Sequence, residues 1–209
     1  MQKLVCILIL LMGFSIVSPC QYDQKNKKTM ETSNIKKATF GTGCFWCTEA
    51  IFSELKGDVS STPGYSGGKI KNPTYKEVCE GTTGHAEVIQ IEYNPEVIGF
   101  GELLEVFWKT HDPTTLNRQG ADVGTQYRSV IFFHDSDQER EALRYKHALQ
   151  EAHIWDNPIV TEITAFSVFY PAEDYHNNYY ENNPANGYCN FVITPKLEKF
   201  RKVFVDKLK

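Results

Sequence analysis

What most constrains this chain is the way its short apolar runs change period between Ala38 and Phe166. Ala38 to Gly43 reads as a short strand closed by Gly41-Thr42-Gly43. A helix follows from Cys44 to Leu55, with Phe45, Ile51, Phe52 and Leu55 on or near one face. Val59 to Ser66 is extended, and Gly67-Gly68 ends it. Asn72-Pro73-Thr74-Tyr75 opens a short helix carrying Val78 and Cys79. His85 to Tyr93 is a strand through Val88, Ile89 and Ile91, stopped at Asn94-Pro95. Gly101 to His111 has the helical spacing of Leu103, Leu104, Val106, Phe107 and Trp108, and Asp112-Pro113 ends it. Tyr127 to His134 and Val160 to Phe166 read as strands around a helix that starts at Ser136, where Glu139 completes a capping box. Pro171 to Tyr188 is aromatic, Asn-rich and irregular. Thr194 to Lys209 reads as a basic helix, with Thr194 as N-cap, Pro195 in the first turn and Leu197, Phe200, Val203 and Phe204 facing inward. Strands and helices mix without a regular βαβ rhythm. The expected class is therefore α+β, a single sheet with helices packed on it.

The first residues have a different character. Lys3 precedes an almost wholly apolar run from Leu4 to Val17, about as long as the apolar part of an export signal and short for a membrane span. Val17-Ser18-Pro19-Cys20 resembles a bacterial lipobox, with Pro19 a departure from the small residue usual before the cysteine. An acylated Cys20 would tether the chain to a membrane surface; plain secretion is the alternative. Gln21 to Lys37 is polar and Lys-rich and reads as a linker. The expected organisation is a signal peptide over 1–19, a flexible linker over 20–35 and one domain over 36–209, placed in the bacterial envelope or periplasm. With 22 basic and 26 acidic residues the net charge is −4, which argues against a nucleic-acid partner. Hydrophobic residues at 41% and charged residues at 23% suit a chain that buries a core.

Six cysteines occur. Cys6 leaves with the signal and Cys20 is the acylation candidate, so Cys44, Cys47, Cys79 and Cys189 remain. Structural disulfides would suit an exported chain, but a domain of this size hardly needs them and redox chemistry competes. Cys44 falls between a glycine turn and a helix, where free N–H groups favour a thiolate, so its pKa is expected to fall. Phe45 and Trp46 either line an apolar pocket beside it or sit in the core. Cys44 and Cys47 form C-x-x-C, but the thioredoxin motif carries Trp before its first cysteine rather than between the two. Zinc would need further ligands, and Cys79, Cys189 and the histidines offer no pair at useful spacing, so no metal is expected. Glu87 lies in an otherwise apolar strand; facing an apolar pocket it would hold its proton at neutral pH, and alternation leaves an exposed face open. Asp122 precedes a turn at Gly124-Thr125-Gln126-Tyr127, and Tyr75 and Tyr127 offer phenolic donors.

Gly43-Cys44-Phe45-Trp46, Gly64-Tyr65-Ser66-Gly67-Gly68, Asn72-Pro73-Thr74-Tyr75, Gly84-His85-Ala86-Glu87, His111-Asp112-Pro113, Gly124-Thr125-Gln126-Tyr127-Arg128-Ser129 and Gly187-Tyr188-Cys189 together resemble the peptide-methionine (S)-S-oxide reductases, the A-type methionine sulfoxide reductases, over roughly residues 36 to 195. The resemblance implies an α+β two-layer sandwich with a ferredoxin-like mixed-sheet core. It implies Cys44 as nucleophile, Phe45 and Trp46 as the pocket for the sulfoxide methyl, and Glu87 as general acid. Tyr75 and Tyr127 would bind the oxygen, with Asp122 in the same polar network. The substrates would be methionine S-sulfoxide, free and in proteins, and the reductant a thioredoxin or an envelope equivalent. The chain would act as a monomer with no cofactor. Cys189 matches the family's resolving cysteine, with Cys47, where many members carry Gly, as its rival; Cys79 reads as a buried structural thiol. A disulfide carrier using Cys44 and Cys47 would not need Glu87, and a surface-binding lipoprotein would tolerate loss of Cys44.

Overall fold

The first strand, β1 (Lys36–Thr42), is buried on both faces from Ala38 onward, as suits a strand with a neighbour on either side. The computed structural model describes residues 35–209. The signal segment, Cys20 and the linker up to residue 34 lie outside the described residues. After β1 come α1 (Phe45–Phe52), β2 (Asp58–Ser66), α2 (Tyr75–Cys79), β3 (Ala86–Tyr93) and α3 (Phe100–Thr110). The short strands β4 (Arg118–Gln119) and β5 (Asp122–Val123) form a separate hairpin. Then follow a 3-10 turn at Thr125–Tyr127, β6 (Ser129–Phe133), α4 (Ser136–Glu151), β7 (Glu162–Ala165), β8 (Phe169–Pro171), α5 (Tyr179–Asn182) and α6 (Thr194–Val203). The main sheet has 6 strands in the order β7-β6-β1-β3-β2-β8. Only β6 and β7 run parallel within it. Its centre, β6-β1-β3-β2, is reached by the chain in β-α-β-β-α-β succession through α1 and α3.

Alternation along the strands separates two apolar layers. Phe40, Ile89, Ile91 and Ile131 face the larger core, shared with α1, α3 and α6. Ala86, Val88, Val130 and Phe132 face the other side, covered by Phe166 and Phe169. Phe40 ties sheet to helices, with ring centroids 5.6 Å from Phe52 and 5.2 Å from Phe107. Enclosing each such ring contributes about 1.5–3 kcal/mol.

Three helix ends differ from the sequence expectation. Helix α4 is capped one residue earlier, by Asp135, whose carboxylate accepts from the N–H groups of Asp137 and Gln138. Thr194 is not a cap: a π turn over Cys189–Ile193 runs directly into α6, so Thr194 is helical (φ −53, ψ −52) and its hydroxyl donates to the Cys189 carbonyl at 3.0 Å. Helix α6 also ends at Val203, which is exposed, and Leu208 bridges back to Leu55. No helix among the described residues is long and apolar enough to cross a membrane.

Candidate active site

The junction of β1 and α1 builds the centre of the site. Gly43 has φ +103, and a Cβ there would stand 2.6 Å from the Gln119 side chain, so only glycine permits this turn. Gln119 is fixed in turn by the Asp112 backbone, donating to its carbonyl at 3.0 Å and accepting from its N–H at 3.2 Å. Cys44 then takes the N-cap position, and no side chain caps the helix there. The first free N–H, that of Phe45, donates instead to Glu87 Oε2 at 3.0 Å. Glu87 shares its face of β3 with Ile89 and Ile91, so it points at α1 rather than into solvent. It is 1% exposed. Burial pushes its carboxyl up to about 8, opposed by the Phe45 N–H and reinforced by Asp122 and Cys47. At neutral pH it is a carboxylic acid.

The Cys44 thiol does not follow the expected fall. Burial pushes it well above the ordinary value, and its hydrogen bond to Cys47 and the Glu87 carboxyl act in the same direction. The helix end that would have stabilised a thiolate is occupied by Glu87. Cys47, one turn along α1, goes the other way, down to about 7, because the Cys44 thiol hydrogen-bonds to it. Burial opposes this fall and the Lys196 charge assists it. The first negative charge of the pair therefore settles on Cys47, with the proton held by Cys44.

Two phenols flank the thiol. Tyr75 opens α2 behind the Thr74 capping box, and its ring stacks on Phe45 at 6.2 Å and 18°. Tyr127 ends the 3-10 turn that Arg128 clamps, donating from Nη1 to the Thr125 carbonyl at 3.0 Å and from Nη2 to that of Gly84 at 3.2 Å. Both phenols are half-buried, and burial followed by the Glu87 charge pushes them up, so they stay protonated as donors. Asp122 reaches the thiols indirectly: its Oδ2 accepts from the Tyr188 hydroxyl at 2.7 Å, and that oxygen lies 3.7 Å from Cys47 Sγ. Cys79 is exposed rather than buried, because only Val78 of α2 turns inward. Its thiol hydrogen-bonds the Tyr75 side chain at the rim of the site.

The aromatic wall depends on residues that sequence reasoning left unassigned. Phe45 is fully enclosed among Tyr65, Tyr75 and His176, so it belongs to the core and underlies the site at once. Trp46 is half-buried; its Nε1 donates to His176 Nδ1 at 3.0 Å, its ring stacks on Tyr179 at 3.7 Å, and Tyr188 meets it edge-on. His176 is fully buried, and burial lowers its pKa. With Nδ1 accepting, the proton is assigned to Nε2, which stops 3.7 Å from Glu173 Oε2. Glu173 also accepts from the Tyr65 hydroxyl and the Tyr75 N–H, each at 2.9 Å. From α1, Glu49 accepts from the N–H groups of Asn178 at 2.8 Å and Tyr179 at 3.3 Å. It is 3% exposed, and burial pushes it up to about 7. One local signal was present for Glu49: it sits between Phe45 and Phe52 at helical spacing, on the buried stripe.

A buried dithiol beside a carboxyl that keeps its proton, two phenolic donors and an aromatic wall define a thiol redox site for a small, uncharged, oxygen-bearing group. Residues 36–208 match the family model described as peptide methionine sulfoxide reductase. The chain belongs to that family. It is 56% identical over 171 residues to the peptide methionine sulfoxide reductase MsrA of Haloquadratum walsbyi, covering 82% of this chain and 97% of the relative. It is 52% identical over 172 residues to the MsrA of Saccharolobus solfataricus, covering 82% and 96%. Among solved structures it resembles Mxr1 from Saccharomyces cerevisiae in reduced form, with TM-score 0.69 and 38% identity over 76% of this chain and 91% of that one. Methionine sulfoxide reductase A of Corynebacterium diphtheriae superposes with TM-score 0.67 at 35% identity, covering 74% and 78%.

Proposed function

We propose that this chain is a peptide-methionine (S)-S-oxide reductase that repairs oxidised methionine, free and in proteins. The observation that carries the reading is the Glu87 carboxyl, kept neutral by burial and hydrogen-bonded to the N–H beside Cys44. A sulfoxide oxygen leaves poorly unless it is protonated, so an acid must act as the thiol attacks sulfur. Tyr75 and Tyr127 donate to the oxygen and Glu87 gives it a proton. The Cys44 proton passes to Cys47, its hydrogen-bond partner, and Cys44 sulfur attacks the sulfoxide sulfur. The hydroxyl then moves from the methionine sulfur to the Cys44 sulfur: the methionine S–O bond and the transient S–S bond break, a Cys44 S–O bond forms, methionine departs and Cys44 is left as a sulfenic acid. Trp46, braced by His176 and Tyr179, supplies the apolar surface for the methyl group. A second thiol then condenses with the sulfenic acid, and an external dithiol of the thioredoxin type reduces the disulfide. Cys189 matches the family's choice for that second thiol, and Cys47 is its rival.

The finer reading of the fold is a ferredoxin-like core, supported by the order β6-β1-β3-β2 and its β-α-β-β-α-β succession. Export, with acylation at Cys20, and a monomeric state complete the proposal; Lys3 and the apolar run to Val17 support export. Labelling the full-length chain and a Cys20→Ala variant with palmitate in a bacterial host tests the anchor. The activity is tested by supplying each epimer of a blocked methionine sulfoxide with excess dithiothreitol, beside Cys44→Ser. Reduction of the S epimer alone, lost in the variant, is expected. Reduction of neither would end the reading.

A further inference from the structure

A groove of about 830 Å³ is lined by residues of α3, α4 and α6, and none of Cys44, Cys47, Glu87, Tyr75 and Tyr127 is among them. Its size falls within the range of small-molecule sites, about 300–1,000 Å³. Its apolar walls are Trp108 of α3, Leu149 of α4, Ile154 and Trp155 of the turn that follows, and Phe200 and Val203 of α6. Ile154 is 58% and Val203 53% exposed, so part of this apolar surface faces solvent. Lys196 and Lys199 line the groove too. Positions 196, 199, 200 and 203 recur at helical spacing, which sets charge and apolar surface side by side on one face of α6.

The polar side chains decide what such a groove can hold. Thr110 donates to the Val106 carbonyl at 2.8 Å. Both ring nitrogens of His111 are engaged, one with the Phe107 carbonyl and one with the Ser129 hydroxyl, each at 2.7 Å. Gln119 is spent on the Asp112 backbone, and Asp112 Oδ1 accepts from the N–H and the hydroxyl of Thr114. Lys109 is paired with Glu105 at 2.7 Å and lies over the Phe204 ring. Donors are left over. Trp108 is 3% exposed, and its Nε1 has no acceptor among the described residues. The ammonium groups of Lys196 and Lys199 form no ion pair among the described residues. A fitting ligand therefore carries acceptor atoms and negative charge on an apolar body.

We propose that this groove binds an amphiphilic carboxylate, a medium-chain acyl anion whose tail lies against Trp108, Ile154 and Val203 and whose head meets Lys196 and Lys199. A bare anion would leave the apolar walls in water. A neutral amphiphile would leave the two ammonium groups unanswered, and a cationic one would be repelled by them. Each methylene enclosed should tighten binding about fourfold, so chain length as well as charge is read. The groove shares no residue with the proposed acid, phenols or thiols, so its occupancy is independent of the sulfoxide reading.

The probe is decanoate, titrated into the full chain labelled with nitrogen-15 and followed at the indole N–H signals of its 3 tryptophans, Trp46, Trp108 and Trp155. Trp46→Phe and Trp155→Phe assign the signals. Saturable one-to-one binding is expected, with Trp108 and Trp155 shifting and Trp46 still. Decyltrimethylammonium has the same tail and the opposite charge and should bind at least about tenfold more weakly. Decanoate should lose about as much on Lys199→Glu and on Ile154→Glu. Both are exposed side chains, one on α6 and one on the facing turn, so melting temperature and dithiothreitol-driven sulfoxide reduction should stay at the parent's values. Equal affinity for the two amphiphiles, or binding that never saturates, overturns the proposal and leaves a general apolar surface. Shifts led by Trp46 overturn it by placing the ligand in the thiol site. Unchanged affinity in both variants overturns it as well.

Discussion

The groups proposed to react and the groups that shape the space around them are held by different kinds of structure. Cys44 and Glu87 stand on α1 and β3, where sheet register sets their positions: β3 pairs with both β1 and β2 along its length. The opposite wall comes from residues 173–189, which contain a 3-10 turn at Asp174–His176, the short helix α5 and a left-handed residue, Asn178. This strap is fastened by side chains rather than by a ladder. Tyr65 and the Tyr75 N–H hold Glu173, Trp46 holds His176, Glu49 holds the start of α5 and Asp122 holds Tyr188. A group that delivers a proton at a fixed distance gains from a rigid support. A thiol that must leave its burial to exchange a disulfide gains from a support that can let go.

The contrast is sharpest at the reacting wall. Cys44→Ser should abolish sulfoxide reduction outright while the melting temperature stays near that of the parent. Glu87→Gln keeps the shape and removes the acid, so kcat should fall about 10²–10⁴-fold, with Cys44 still open to alkylation. An unchanged rate would remove Glu87 from the chemistry. With its carboxyl at about 8, activity should decline as pH rises past that value, and the Gln variant should lack this limb. The sign for stability follows from the same shift. The folded state holds the proton from the ordinary value of 4.5 up to about 8 and the unfolded chain does not, so stability falls as pH rises across that window. Thermal melts of the Gln variant should be flatter over the same range.

Changes in the strap should cost less and act differently. His176→Ala leaves the N–H of the half-buried Trp46 without its acceptor, a loss of about 0.5–1.5 kcal/mol, and should lower kcat/KM by about tenfold. The Glu87 pH limb should survive unchanged in that variant. A fall as deep as that of Glu87→Gln would place His176 among the reacting groups. Glu49→Ala removes two backbone anchors at once, so the Asn178 and Tyr179 amides should exchange faster with solvent. Cys44 alkylation should hardly change, because Glu49 fastens the strap rather than the thiol.

The two walls also differ in how far residue order discloses them. A glycine turn before Cys44 and a carboxyl inside an apolar strand at Glu87 are local irregularities with a local meaning. Even there burial decided the pKa: the helix-end argument for Cys44 took no account of a carboxyl 43 residues on. The strap had no such marker. Glu49 meets Asn178 across 129 residues and Trp46 meets His176 across 130, distances over which no periodicity runs. Tyr188 lay inside a recognisable segment, but its position gave no sign that it would join Asp122 to Cys47. The caps failed for a related reason. Asp135 and the π turn at Cys189 depend on how the preceding chain arrives, which a spacing rule applied from Ser136 or Thr194 onward does not include.

Cys79 offers the finest division between the walls. It ends α2 at the rim, within hydrogen-bond reach of the Tyr75 side chain, while its carbonyl accepts from Gln126 Nε2 at 3.4 Å. A hydroxyl in place of the thiol keeps both a donor and an acceptor beside that phenol, and the backbone contact is untouched. Cys79→Ser should therefore change kcat/KM by no more than about twofold, as an exposed substitution does. In the native parent, iodoacetamide should label Cys79 before Cys189, which has no exposed surface. A tenfold loss in Cys79→Ser would mean that the thiol sets the position of the Tyr75 hydroxyl, and the reacting wall would then extend through α2 to the surface.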